Sequence, residues 1–285
     1  MNTVQFERNL SAVTSRGPSP AIWADCPVKD MLEDPGVGIY MFEDFLSGGL
    51  LTAPTTHAAL VGIPWSGFSS SASQISYGNP TFTTSTEDRG TLVLAETTTR
   101  ESTSIRTDPV PFRLSANFGK LLFECRFKIS TVAADELSFF IGLLGADSLT
   151  VDIPVIAAGA DTHLIASKNL VGFKKPVADT TTYDAIYRAD GQTAVVVHDG
   201  LGTLAADTYI KLGFVFDPAD SNRLYYYVNN EKQIPSTLVT VPDNTGTTFP
   251  ADVPLGPVIG MSVGTAASDN TLTCDWIRIA QLCVG

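Results

Sequence analysis

Residues 209–233 constrain the fold more than any other part of the chain, because strand-like runs alternate there with polar turns. Two runs, 209–216 and 224–228, carry the aromatic and β-branched residues that suit a pleated, half-buried surface. The segments that follow them, 217–222 and 229–231, contain Asp, Asn and Pro, which favour turns. The pattern predicts consecutive antiparallel hairpins with no helix around them.

A second segment, residues 121–129, alternates between apolar and charged side chains. Its apolar set is Phe123, Cys125, Phe127 and Ile129, and its charged set is Glu124, Arg126 and Lys128. Successive side chains of a strand point to opposite faces, so one set is predicted to meet a core and the other to meet water. Such a two-sided strand is typical of an antiparallel sheet.

Further runs predict an all-β chain. Strands are expected at 137–145, 170–174, 184–188, 193–198 and 272–280. Two Asp-Gly pairs, Asp190 with Gly191 and Asp199 with Gly200, predict hairpin turns, because glycine readily adopts a positive φ. The predicted core residues are Phe123, Phe127, Phe139, Ile141, Leu212, Phe214, Val228 and Ile277.

The composition is that of a globular protein with a substantial core, since 44% of the 285 residues are hydrophobic and only 17% are charged. This length suits one large all-β domain or two small ones. The net charge of -12 opposes binding to a phosphate backbone, so no direct nucleic-acid partner is expected. No stretch reaches the roughly 20 apolar residues of a membrane span, and residues 1–10 lack the features of a secretory signal. We therefore expect synthesis in a cytoplasm and no membrane partner.

The four cysteines, Cys26, Cys125, Cys274 and Cys283, are widely spaced and form no Cys-x-x-Cys pair, which excludes a zinc ribbon. Cys125 and Cys274 lie inside strand-like runs, where free cysteine commonly acts as a small buried hydrophobe. Core thiols are therefore expected. The alternative is a disulfide, for which Cys274 and Cys283 are the best pair.

Residues 1–37 are predicted to form an extended N-terminal arm, and residues 38–285 a single sandwich domain. Proline and glycine punctuate the arm between 15 and 20 and again between 34 and 36, and proline restricts both its own φ and the preceding residue. Its scattered apolar residues Phe6, Ile22 and Trp23 are the candidate partner-binding anchors. The alternative is a terminus that frays or packs on its own sandwich.

No catalytic pattern stands out. Sandwich glycosidases carry Glu-x-Asp-x-x-Glu on one strand, which places the carboxylates on one face, and no such run exists here. The carboxylates of Glu43 with Asp44 and of Glu87 with Asp88 are adjacent, so on a strand they would point to opposite faces. The three histidines, His57, His163 and His198, are far apart in the sequence. We expect no enzyme activity and no metal or cofactor site.

Two features leave alternatives open. Residues 217–222 contain enough oxygen atoms to suggest calcium, but they lack the acidic spacing and final Glu of a calcium loop, so a hairpin turn is favoured. Tyr225, Tyr226 and Tyr227 suggest a sugar-binding platform. Alternation sends Tyr226 opposite to its two neighbours, however, which favours packing for at least one face.

Four segments, taken together, resemble one family. Residues 119–129 resemble the strand that opens the core of concanavalin A-like, laminin-G-type jelly rolls, and 207–214 with 227–231 resemble their Tyr-Val-Asn-Gly hairpin. Residues 271–281 are similar to the closing strand, and 41–48 to a Phe-Phe-Asp-Asp-Phe-Leu-Ser-Gly opening. Asn230 replaces a usual glycine and Cys274 a usual valine, and both are tolerated at such positions.

The order of these segments resembles a group of tailed-bacteriophage capsid decoration proteins, also called cement proteins, over residues 40–285. The resemblance implies an all-β, concanavalin A-like jelly-roll β-sandwich of two antiparallel sheets, preceded by the N-terminal arm. It also implies a homotrimer on the outer capsid surface of the virion, with the major capsid protein as partner. Because this fold supports many functions, a carbohydrate-binding, lectin-like module or adhesin with a glycan partner remains the alternative.

Overall fold

The chain folds as a β-sandwich of two antiparallel sheets, A and B, preceded by two short helices. A computed structural model describes residues 16–45, 58–59, 65–69, 81–83, 90–96, 99, 102–107, 111–115, 117–145, 168–193, 195–234, 248–266 and 270–283. The helices are α1 (Pro20–Trp23) and α2 (Val28–Glu33). No helix among these residues is long and apolar enough to cross a membrane.

Sheet A contains the three consecutive tyrosines, Tyr225, Tyr226 and Tyr227, and the segment 271–281 near the C-terminal end. Its order is β14 (Glu231–Gln233), β13 (Arg223–Val228), β12 (Ile210–Asp217), β7 (Leu121–Ile129), β16 (Asn270–Leu282), β5 (Thr91–Glu96) and β4 (Thr81–Thr83), and β1 (Gly38–Glu43) also pairs with β16. The long β16 pairs with β5 through residues 270–274 and with β1 through residues 277–282. Strands β5 and β1, which are far apart in the sequence, therefore pair with the same edge of β16.

Sheet B is the second layer. Its order is β11 (Val195–Thr203), β10 (Thr182–Arg188), β9 (Leu170–Lys175), β8 (Leu137–Gly145), β15 (Leu255–Val263), β6 (Ser102–Thr107), β3 (Trp65–Ser69) and β2 (Ala58–Ala59). All pairings in both sheets are antiparallel. The all-β class and the two-sheet architecture predicted from the sequence are confirmed.

The core lies between the sheets and is rich in aromatic rings. Phe123 and Phe214 stack with ring centroids 4.7 Å apart, and Phe127 meets Phe139 edge-on at 5.1 Å. Seven of the eight predicted core residues are almost completely buried. Val228 is only half-buried, because it ends β13 and pairs with the first residue of the short edge strand β14.

The cysteine prediction is confirmed. Cys125 and Cys274 are buried free thiols on the neighbouring strands β7 and β16. Cys283 is exposed and free, so the alternative disulfide with Cys274 is absent. Burial raises the pKa of both core thiols well above the usual value, which keeps them protonated and unreactive.

The turn predictions have mixed outcomes. Asn229 and Asn230 take φ values of 48° and 76° and close the β13–β14 hairpin, as their residue type predicts. Gly191 has a φ of 72° in the turn between β10 and β11. The prediction of a hairpin turn at Asp199 and Gly200 is wrong. Gly200, with a φ of 63°, lies inside β11 where the register with β10 shifts, so its positive φ serves a β-bulge.

The described part of the N-terminal segment is folded rather than extended. Pro20 occupies the start of α1, where a missing N–H breaks no helical hydrogen bond. Ile22 and Trp23 are buried against the outer face of sheet A, together with Met31 of α2. For these residues the structure matches the self-packed alternative. Phe6 lies outside the described residues.

Candidate functional site

The outer face of sheet A carries two cross-strand rows of side chains. Since residues in register share a face, the pairings define both rows. The first row is Tyr225, Val215, Leu122, Ala280 and Tyr40. The second row is Lys232, Tyr227, Gly213, Glu124, Arg278 and Phe42. Residues 16–33, which we call the N-terminal strap, cover the middle of both rows.

Glu124 fastens the strap from the middle of the second row. The sequence pattern predicts this side chain in water, and that prediction is wrong, because Glu124 is only 1% exposed. Its Oε2 accepts hydrogen bonds from the Ser19 backbone N–H at 2.9 Å and from the Trp23 indole N–H at 2.7 Å. Burial raises the pKa of Glu124, and the Ser19 and Trp23 bonds and the Lys211 charge oppose that rise.

Asp275 fastens the beginning of the strap. It is the extra residue of a bulge in β16, where the register with β7 shifts between Cys274 and Trp276. Its buried carboxylate binds the guanidinium groups of Arg16 in the strap and Arg126 in β7. The Trp276 indole N–H donates to the Arg16 carbonyl at 2.7 Å. The bulge thus places an acidic group where the strap begins.

Close packing and cation–π contacts hold α1 in place. A Cβ at Gly213 would lie 2.5 Å from Ile22 Cδ1 and 2.7 Å from the Phe123 carbonyl oxygen, so glycine makes the room that Ile22 fills. The Arg278 guanidinium lies 4.2 Å from the centre of the Trp23 ring. The two candidate partner-binding residues Ile22 and Trp23 are therefore anchors of the strap on its own sheet.

A pocket of about 330 Å³ lies between the strap and the β12–β13 hairpin, and we call it the hairpin pocket. The strap, the floor of sheet A and the hairpin each contribute to its wall. The lining residues are Ala21, Ile22, Asp25, Cys26, Lys120, Leu122, Val215, Asp217, Asp220, Tyr225, Tyr227, Lys232 and Leu282.

The tyrosine alternation predicted from the sequence is confirmed by this pocket. Tyr226 points into the core and donates a hydrogen bond to the Ile186 carbonyl at 3.3 Å. Tyr225 and Tyr227 point outward and line the hairpin pocket. Burial raises the pKa of both outward tyrosines, so their hydroxyls stay protonated.

Most of the polar groups around the pocket, other than Asp25, are paired with one another. Lys120 Nζ lies 2.7 Å from Asp217 Oδ2. The Tyr225 hydroxyl donates to Asp220, and the Lys232 ammonium lies 3.3 Å from the centre of the Tyr225 ring. Burial lowers the pKa of Lys232. The pocket therefore offers several donors and acceptors whose charges largely compensate one another.

The calcium alternative for residues 217–222 finds no support among the described residues. Asp217 Oδ1 accepts the Ala219 N–H at 3.1 Å, and its other oxygen binds Lys120. Asp220 Oδ1 lies 3.6 Å from Arg223. Ser221 and Asn222 take positive φ values of 56° and 57°, as residues of a tight turn do. The segment is the turn that joins β12 to β13, and the described residues contain no group of three His, Cys, Asp or Glu side chains placed to hold a metal ion.

The outer face of sheet B carries a different arrangement. Asp184 in β10 lies 3.5 Å from Lys174 in β9 and accepts the Gly200 N–H at 3.0 Å. Leu170, Gly172 and Lys174 share this face of β9. His198 is half-buried on β11. His57, His163 and the Glu87–Asp88 pair lie outside the described residues.

The fold defined by these two sheets is a concanavalin A-like jelly-roll β-sandwich. Among solved structures, the chain is similar to a protein of unknown function from Shewanella oneidensis MR-1, with a TM-score of 0.52, 15% identity and 87% of each chain covered. It also matches a carbohydrate esterase from the Shiga toxin-encoding bacteriophage phi24B, with a TM-score of 0.42, 16% identity, and 77% of this chain and 90% of the other covered. Peanut lectin matches with a TM-score of 0.48, 13% identity, and 87% of this chain and 99% of the lectin covered.

The likeness to the Shewanella protein supports the fold and no function, because the identity is only 15%. No protein-family model matches the sequence, and no curated protein matches it. What the chain does must therefore be argued from its own residues.

Proposed function

We propose that this chain is a structural, non-catalytic protein that decorates and stabilises the outer surface of a bacteriophage capsid. Its partner in this proposal is the major capsid protein, and its working form is a homotrimer. The observation that supports the proposal is the position of the four family-like segments. They contribute to β1, β7, β12 to β14 and β16, which are contiguous in sheet A. The segments that carry the resemblance therefore lie side by side in one sheet and are not scattered over the molecule.

The strap changes which residues are proposed to touch the capsid. Ile22 and Trp23 are buried on the chain's own sheet, so they are engaged before any partner arrives. We assign the partner contact to residues 1–15, which precede the strap and include Phe6. Asp275 and Glu124 hold residues 16–23 on sheet A, so the residue to which this segment is attached has a fixed position.

The mechanism is passive. In a trimer, several copies of one weak contact act together, because the first contact raises the effective concentration of the others. A protein that binds the closed shell better than the ruptured shell stabilises the closed state by linkage. Neither step needs a catalytic residue or a cofactor.

Co-sedimentation tests the proposal directly. The purified full chain is mixed with expanded empty capsids built from the major capsid protein of the encoding phage, and native mass spectrometry gives the mass of the free protein. We expect saturable binding to assembled capsids and a trimeric mass. A folded chain that stays in the supernatant at every capsid concentration would show that the proposed function is wrong.

A further inference from the structure

We infer that the hairpin pocket is a receptor for one arginine side chain of a protein partner. The inference goes beyond the proposed capsid role, because it rests on the residues of the pocket and holds for any partner that presents an arginine there. Among the described residues, three features carry it: a carboxylate without a partner, a tyrosine hydroxyl without a partner, and an aromatic ring that already holds a cation.

The charges of the pocket favour a cation. Three carboxylates and two ammonium groups line it, namely those of Asp25, Asp217, Asp220, Lys120 and Lys232. Lys120 neutralises Asp217 at 2.7 Å, whereas Asp25 makes no hydrogen bond or ion pair with any described residue. The net charge of -12 on the whole chain also repels an anion. A positive group is therefore the ligand that completes the charge balance of the site.

Tyr227 presents an unsatisfied hydroxyl to the same space. This residue is only 8% exposed and lines the pocket, yet within the described chain its hydroxyl makes no hydrogen bond. Buried polar groups are normally hydrogen-bonded, and a phenolic oxygen accepts from N–H groups. A guanidinium has five N–H donors in a fixed fork. One arginine can therefore donate to Tyr227 and pair with Asp25, since both residues line one pocket.

The Tyr225 ring shows where a cation lies in this pocket. The Lys232 ammonium is 3.3 Å from the ring centre, which is a cation–π contact. Lys232 is exposed on the edge strand β14, so its long side chain can leave the ring at little cost. A guanidinium is planar and less strongly hydrated than an ammonium, and it stacks on aromatic rings. The lysine of the chain itself thus occupies a place that a partner's arginine can take.

The shape of the pocket suits one long side chain. A volume of about 330 Å³ lies at the lower end of the range for ligand sites. Leu122, Val215 and Ile22 supply an apolar floor for a methylene stem, and the remaining wall is mostly polar. Arginine and tyrosine are the residues most often found at the energetic centres of protein interfaces. The strap and the β12–β13 hairpin thus form a socket for such an anchor.

The experiment uses the full chain and capped tripeptides with one variable residue between two glycines. The variable residue is arginine, lysine, citrulline or glutamate, and citrulline keeps the shape of arginine without its charge. Saturation-transfer NMR measures affinity. In a Cys283→Ser background, the rate at which an uncharged maleimide modifies Cys26 reports occupancy, because Cys26 lines the pocket and Cys125 and Cys274 are buried.

We expect saturable binding of the arginine peptide, with slower Cys26 modification at the same peptide concentrations. The lysine peptide should bind more weakly, because an ammonium cannot fork between two acceptors or stack as a plane. The citrulline and glutamate peptides should bind least. High salt should weaken binding of the arginine peptide, because ions screen a partly exposed ion pair.

Four variants assign the binding to the pocket. Tyr227→Phe should weaken arginine binding about tenfold, the lower end for a hydrogen bond to a charged group. Asp25→Asn should weaken it about threefold, as for a partly exposed ion pair. Lys232→Met should strengthen it about twofold, because it removes the competing ammonium. Asp30→Asn removes the same charge from an exposed strap residue outside the pocket and should leave affinity unchanged.

Four results would overturn the inference. The first is the absence of a saturable signal from the arginine peptide. The second is a lysine, citrulline or glutamate peptide that binds as tightly as the arginine peptide. The third is binding that Tyr227→Phe and Asp25→Asn leave unchanged in variants with unchanged thermal midpoints. The fourth is an equal loss of affinity in Asp25→Asn and Asp30→Asn. Co-sedimentation with capsids is measured separately, so failure of this inference and failure of the proposed function are distinguishable.

Discussion

At the scale of single residues, Glu124 is a buried carboxylate whose titration should be visible in the stability of the protein. Burial raises its folded-state pKa above the ordinary 4.5. Between the ordinary pKa and the raised pKa, the folded chain binds the proton more tightly than the unfolded chain. The contribution of Glu124 to stability therefore falls as pH rises through that window. Glu124→Gln should remove that component. Urea midpoints measured across the window test it, and equal slopes in the two proteins would contradict it.

Lys175 gives a second titration with the opposite sense. Its buried ammonium donates to the carbonyls of Asp179 at 2.6 Å, Leu137 at 2.8 Å and Pro176 at 3.3 Å. Burial lowers its pKa from 10.5 to about 8. Between these values the unfolded chain binds more protons, so stability should rise with pH. Lys175→Met should flatten this rise in urea midpoints, and an unchanged rise would assign it to other groups.

Sequence alternation located the core residues, but it did not identify Glu124 and Asp275 as the carboxylates that hold the strap on the outer face of sheet A. Alternation correctly gives the direction in which Glu124 points, but it cannot show that another segment lies over that face. Asp275 was missed for a different reason, since a bulge interrupts the period of two at that point of β16. The one available signal was Trp23, because a tryptophan in a proline-rich segment needs a surface on which to bury.

At the scale of the elements, the buried residues of α1 hold the strap on sheet A, and the exposed residues of the strap contribute less. Trp23 is 6% exposed, donates to Glu124 and stacks under Arg278. Trp23→Ala should lower the free energy of unfolding by about 3 kcal/mol, the lower end for a buried large aromatic residue. Leu32→Ala is the matched control in the same strap, since Leu32 is 69% exposed. Equal midpoints for the two variants in a denaturant titration would mean that the strap does not stabilise the sandwich.

Strand β7 joins the two halves of sheet A and should be sensitive to a cavity. Phe127 is completely buried, lies edge-on to Phe139 of sheet B and is therefore part of the contact between the sheets. Phe127→Ala should cost about 3–5 kcal/mol of stability. Phe42→Ala, at a residue that is 46% exposed on β1, should cost much less. A denaturant midpoint unchanged by Phe127→Ala would remove β7 from the core.

Most strands were predictable and the short helices were not, for one physical reason, although β6 and β15 of sheet B were also missed. A strand such as β7 repeats its side-chain period several times within nine residues. Helices α1 and α2 have four and six residues, too few for a period of 3.6 to be recognised. Prolines within 16–36 also favoured an extended arm, although Pro20 in fact starts α1. Tertiary contacts with Glu124 and Gly213 stabilise what local preference alone would not.

At the scale of the whole molecule, the sandwich fold could be predicted from side-chain alternation together with the family resemblance. The order of the strands in each sheet could not. Alternation along β1, β5 and β16 shows that each is a strand, yet it contains no information that β1 and β5 lie end to end along β16. The pocket was equally hidden. It needs Tyr225 from a hairpin, Cys26 from the strap and Lys120 from the residue before β7, and only the folded chain brings these together.

The last prediction separates folding from attachment. Residues 1–15 precede the first strap contacts, which Arg16 makes with Asp275 and Trp276. Their deletion should leave the thermal midpoint unchanged while weakening co-sedimentation with expanded capsids, because contacts repeated in the proposed trimer would lose affinity together. Trp23→Ala should do the reverse, lowering the midpoint while any capsid contact made by residues 1–15 persists below that temperature. Full capsid binding by the deletion variant would show that the partner contact lies on the sandwich itself.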